Sequence, residues 1–171
     1  MMSKPLSISF LTLRVFSATG GIEKVCRVAG KALFEISATE KMKVDFFSMY
    51  DNDNEVLEKY IPADSFKGFS KQKIRFVKYC ISNAKQYDFV LLSHINLLLV
   101  GVLMKMVNPS LKLILIAHGI EVWKRFSLAK KWMLRRCTQI LPVSNYTRNY
   151  LLRDNGLQSS SVNVLNNCLD P

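Results

Sequence analysis

Short apolar runs of strand length alternate with helical patterns along the whole chain, and this alternation constrains the fold more than any other feature. Residues 6–13 (LSISFLTL), 44–49 (VDFFSM), 87–92 (YDFVLL), 111–117 (LKLILIA), 140–143 and 162–165 read as strands. Between them, Ile22, Val25, Ala29, Ala32, Leu33 and Ile36 recur at spacings of three and four, one face of a helix whose intervening lysines and glutamates meet water. Ile74, Val77, Ile81 and Ala84 mark a second helix over 72–84. A very apolar helix follows over 97–107, a short basic one over 128–137, and one over 145–153 that stops at Asn155-Gly156. Residues 51–64 read as a polar loop. Apolar strands joined by helices predict a mostly parallel sheet covered on both faces, with right-handed crossovers.

At 171 residues the chain has the length of one domain, and a 49% apolar content excludes disorder as its main state. The longest apolar stretch, 89–104, is interrupted by Ser93, His94 and Asn96, short of the roughly 18 uninterrupted residues a membrane-spanning helix needs. The first residues carry no small-residue cleavage signal, so a cytoplasmic domain is expected. Twenty-four Lys and Arg against 13 acids leave a net charge of +11, which favours an anionic partner: nucleic acid, an acidic membrane surface or a phosphorylated ligand. No helix-turn-helix, RNP or zinc-finger signature supports nucleic acid. Cys26, Cys80, Cys137 and Cys168 are widely spaced with no C-x-x-C pair, which predicts reduced structural thiols and no zinc site.

In a parallel α/β sheet, ligands bind beyond the carboxyl ends of the strands, so the loops after Leu13, Leu92, Ala117 and Val143 are the candidates. Ser17-Ala18-Thr19-Gly20-Gly21 precedes the first helix. Its glycines allow close approach of a ligand, and the helix N-terminus offers N–H groups to a phosphate; the alternative is a plain Gly-Gly turn. His118-Gly119-Ile120-Glu121 follows the strand LKLILIA, and Ser93-His94-Ile95-Asn96 follows YDFVLL, so both histidines of the chain stand at strand ends. Each can hydrogen-bond a sugar or phosphate, or serve only the local backbone. Ser144 is either a ligand contact or a helix N-cap. Trp123, Lys124, Arg125, Lys130, Lys131, Arg135 and Arg136 form a basic stretch interleaved with aromatics, which suits an anionic membrane interface or an ordinary surface helix.

Taken in order, T-G-G-I-E-K-V (19–25), H-G-I-E (118–121), I-L-P-V-S-N-Y-T-R (140–148) and V-L-N-N-C-L-D-P (164–171) resemble the N-terminal domain of a family-4 glycosyltransferase of the GT-B fold. The resemblance runs nearly end to end; Cys168 departs from it, standing where the family has Gly in an N-G-[VI]-D turn. It implies a Rossmann-like three-layer α/β/α domain spanning 1–171 that binds the acceptor, paired in the family with a second domain that holds a nucleotide-sugar. It implies sugar transfer with retention of configuration, no metal and no other cofactor. Gly20 and Gly21 match the loop that approaches the donor diphosphate, and His118 matches the catalytic histidine beside the transferred sugar. Arg14, His94, Asn96, Glu121 and Ser144 fall where acceptor contacts are expected. The partners implied are a glycan or lipid-linked acceptor and, through the basic stretch, the inner face of the plasma membrane.

The family's donor half carries a basic pair and an E-x7-E motif, yet no Glu follows Glu121 here. The expectation is therefore that the chain is half an active site, which folds alone but does not transfer sugar. The competing expectation is a non-catalytic glycan or lipid-phosphate binding module, or a subunit of a split transferase.

Overall fold

The computed structural model describes residues 4–167. Its elements are β1 (Leu6–Thr12), α1 (Gly21–Thr39), β2 (Met42–Ser48), β3 (Phe66–Gly68), α2 (Lys73–Ser82), β4 (Phe89–Leu92), α3 (Leu98–Val107), β5 (Lys112–Ala117), α4 (Leu128–Leu134), β6 (Gln139–Pro142) and α5 (Asn145–Asn155). The six strands form one sheet in the order β3-β2-β1-β4-β5-β6, and every pair is parallel. The chain leaves β1 for β2 on one side and returns from β3 to β4 on the other, so the loops after β1 and β4 diverge at a switch point.

Alternate strand residues feed two cores. Phe10, Phe46 and Ile116 pack with Cys26 of α1 and with Tyr60 and Ile61. Leu11, Phe47, Leu92 and Leu115 face the larger core, closed by Phe76 and Cys80 of α2, Leu98 and Val102 of α3, Leu134 of α4 and Leu151 of α5. This is the three-layer arrangement expected of strands that are apolar on both faces. The face carrying α1 is less covered: Val25, Ala29 and Leu33 border an apolar groove of about 360 Å³ against Leu91, Leu141 and Val143. Among the described residues no helix is long and apolar enough to cross a membrane.

Several local expectations change. The three-residue β3 is too short to show a period in sequence, and it joins the sheet only through β2. Residues 162–165 make a single bridge, Val162 to Ile140, with the Asn163 and Leu165 N–H groups bonded to the Ile140 and Pro142 carbonyls. Helix α4 stops at Leu134 instead of 137. On α2 the buried residues are Phe76 and Cys80, while Ile74 is 74% exposed. Val77, Ile81 and Ala84 of the expected stripe pack against the same core, so Ile74 alone of the four departs from it. The 51–64 segment is polar in composition, yet Asp51, Tyr60 and Ile61 are buried. On α1, Arg27 is buried beside Cys26 and Gly30. Cys26, Cys80 and Cys137 are free and buried, and desolvation pushes each thiol up to about 12; Cys168 lies outside the described residues.

Candidate functional site

Strands β4 and β5 lie side by side, which brings their two histidine loops together. His118 Nε2 lies 2.9 Å from the Ser93 carbonyl oxygen. A carbonyl only accepts, so Nε2 carries the proton and the neutral ring keeps an open lone pair on Nδ1. The backbone of the same turn is fixed by Glu121, whose Oε1 accepts the His118 N–H at 2.6 Å. Gly119 makes the turn possible at φ +147°, a conformation that side chains rarely tolerate, and a Cβ there would lie 3.3 Å from the Trp123 ring.

His94 caps the short turn 95–97, its Nδ1 accepting the Asn96 N–H at 3.0 Å. Its neutral tautomer therefore also carries the proton on Nε2. Burial lowers the pKa of both imidazoles. The Glu121 carboxylate opposes that shift in each ring, and for His118 so does the bond to Ser93. Both rings thus favour the neutral state at physiological pH.

The loop after β1 is built from residues the sequence does not flag. Asp51 is fully buried and collects the backbone N–H groups of Val15 (2.6 Å), Phe16 (3.4 Å) and Ser17 (3.0 Å), together with the hydroxyls of Ser17 and Ser48. Arg27 donates to the carbonyls of Val15 (2.6 Å) and Ala18 (3.4 Å). Beyond this loop Gly20 is the N-cap of α1 and makes no side-chain cap bond, and Gly21 is exposed with open space where a Cβ would stand. The first-turn N–H groups have no intrahelical partner. The Glu23 carboxylate lies against Gly20, where a Cβ would collide with it. An anion approaching this helix end meets that carboxylate.

The other predicted residues separate. Arg14 is exposed, its guanidinium 5.5 Å from the Tyr50 ring centroid. Ser144 caps α5 by accepting the Thr147 N–H at 3.2 Å, a structural role that occupies its hydroxyl. The basic stretch divides in two. Trp123 turns to the α5 start, donating Nε1–H to Thr147 Oγ1 at 3.2 Å with its ring edge-on to Tyr146 at 5.0 Å. Trp132 and Arg136, stacked at 4.5 Å, instead border a pocket with Val102, Lys105 and Met106 of α3. Lys124, Arg125, Arg135 and Arg136 are exposed, Lys130 is half-buried, and Lys131 reaches the Asp154 carbonyl. Exposed Leu128, Trp132 and Met106 accompany these cations.

The fold and its strand-end loops define a Rossmann-like α/β domain matching the N-terminal half of GT-B glycosyltransferases. The sequence profile of Glycosyltransferase Family 4 matches residues 19–171, and the chain belongs to that family. The solved structure of Anabaena Alr3699/HepE in complex with UDP and glucose superposes with a TM-score of 0.73 at 16% identity, over 96% of this chain and 45% of that one. Its complex with UDP-glucose gives 0.60 at the same identity, over 96% and 44%. A glycosyltransferase from Rickettsia africae ESF-5 gives 0.61 at 14% identity, over 96% and 43%. The chain thus spans less than half the length of these structures. No curated protein sequence matches it significantly.

Proposed function

We propose that this domain is the acceptor-binding half of a retaining glycosyltransferase, which moves a hexose from a nucleotide-sugar to a glycan or lipid-linked acceptor. The supporting observation is the pinned, neutral His118 at the edge of the sheet. With Nε2–H committed to Ser93, Nδ1 accepts a hydrogen bond from a sugar hydroxyl. A neutral ring also places no positive charge beside an anomeric carbon that becomes cationic as the leaving group departs. The Ser93 and Glu121 bonds hold the ring and its turn before the sugar arrives, which is the preorganisation that positioning catalysis requires. Gly20 and Gly21 lie at the N-terminus of α1, where no side chain of Gly20 caps the helix, a suitable contact for a diphosphate once the Glu23 carboxylate moves aside.

His94 Nε2–H, the Asn96 side chain and Arg14 supply acceptor contacts from the β1 and β4 loops, with Glu121 and Ser144 completing the edge through backbone they hold in place. The exposed apolar and basic residues around α4 rest on anionic lipid at the inner face of the plasma membrane, which keeps the cytoplasmic domain near a lipid-linked acceptor. No metal or further cofactor enters this scheme, and the domain alone does not turn over.

The test begins with an immunoblot for the native gene product and continues with sugar-transfer assays on that species and on the 171-residue chain. A product near twice 19.6 kDa that transfers sugar and loses activity in His118→Ala supports the reading. Turnover by the isolated chain overturns it. A native product of this length, active only with a second protein, identifies a split-enzyme subunit.

A further inference from the structure

Two charges, Asp51 and Arg27, are buried at 0% and 7% exposure, and among the described residues neither has an ionic partner. Burying a charge is costly unless hydrogen bonds replace its hydration. Here nearly all the replacement bonds come from one short segment. Three successive N–H groups, Val15, Phe16 and Ser17, converge on the Asp51 carboxylate, an anion nest that the protein fills with its own side chain. From the other side the Arg27 guanidinium takes the Val15 and Ala18 carbonyls. The Val15 residue is thus held through its N–H by the negative charge and through its C=O by the positive one.

The two charges reach the loop from two different elements, both later in the chain. Arg27 lies two turns into α1, the helix the loop opens, and its guanidinium lies 5.9 Å from the Tyr60 ring centroid. Asp51 follows β2, and Ser48 Oγ–H donates to its carboxylate (2.7 Å), with the Leu13 carbonyl 3.4 Å from the same oxygen. Tyr50 N–H closes the loop start on Leu13 O at 2.9 Å. Neutral partners would suffice merely to close such a connection.

We propose that Asp51 and Arg27 are positioning residues that fix the 15–18 loop before any ligand binds, and so set the angle at which Gly20 and Gly21 meet a diphosphate; the second half of this statement rests on the function proposed above. Ordering in advance removes the conformational cost that a mobile glycine loop would otherwise impose on binding.

The experiment is amide NMR on the 171-residue chain with Asp51→Asn and, separately, Arg27→Met, which keeps the aliphatic stem. Heteronuclear NOEs over residues 15–21 report loop order, strand amide shifts report the fold, and inorganic pyrophosphate titrations followed at Gly20 and Gly21 report binding. The expected result is an unchanged sheet, depressed NOEs at 15–18, and pyrophosphate affinity reduced about tenfold when the competent loop shape falls to about a tenth of the population. NOEs equal to wild type in either folded variant overturn the proposal, as does a loosened loop with unchanged affinity. If the wild-type chain ignores pyrophosphate, the diphosphate contact is what fails, and the NOEs still decide the clamp. If Asp51→Asn does not fold, Arg27→Met carries the same decision.

Discussion

Gly119→Ala tests whether the H-G-I-E turn is held by backbone geometry and packing together. At φ +147° an alanine is strained on the order of 1–3 kcal/mol. Its Cβ would lie 3.3 Å from Trp123 Cζ2, tight enough to move the ring. That ring cannot retreat without lengthening its 3.2 Å bond to Thr147 or leaving Tyr146, and loss of the bond adds about 1 kcal/mol. The two effects together come to about 3 kcal/mol. For a domain of this length that lowers Tm by roughly 6–12 °C. Thermal melts followed by far-UV circular dichroism, with tryptophan fluorescence to report the ring, measure it. The control is Gly21→Ala, which has open space at its Cβ and stays within about 1 kcal/mol of wild type. A Gly119→Ala protein melting within about 2 °C of wild type would refute the reasoning.

Protonation gives a second check. Burial holds both histidines below their ordinary value of 6.5, so the unfolded chain takes up protons first as the pH falls. Their contribution is complete above about pH 6.5 and is lost below it; urea midpoints decline towards pH 5, and a His94→Asn/His118→Asn double variant flattens the decline. Ser144→Ala removes the α5 cap and costs about 1 kcal/mol by urea unfolding, with the lost stability appearing even if acceptor affinity is untouched. On vesicles containing anionic phospholipid, Arg135→Ala/Arg136→Ala weakens sedimentation binding about thirtyfold at low salt, at about 1 kcal/mol for each cation. Equal binding to neutral and anionic vesicles would remove the membrane role.

Much of the fold was legible because it rests on local periodicity. Apolar runs of strand length separated by amphipathic helices leave few architectures besides a covered parallel sheet, and the observed sheet is entirely parallel. The histidines were legible for the same reason: each stands where an apolar run ends, and in a parallel sheet those ends share one edge. Ser144 was legible in both of its readings, and the 3.2 Å bond to Thr147 shows it serving as a cap. Strand β3 was not, since three residues carry no usable period.

Asp51 and Arg27 show what pattern alone leaves undecided. In sequence, Asp51 opens a run of polar residues and Arg27 sits among the charges of an amphipathic helix; both look solvated. Their partners lie 36 and 12 residues away at Val15, and only the folded chain brings those groups together. Trp123 is alike, grouped in sequence with the basic helix but bonded to Thr147, 24 residues on. The sequence by itself determined the layers and the sheet edge that carries the histidine loops, because periodicity and strand length act over a few residues. Tertiary structure decided which polar groups build that edge, because a buried charge is stable only where distant backbone groups converge to replace its water.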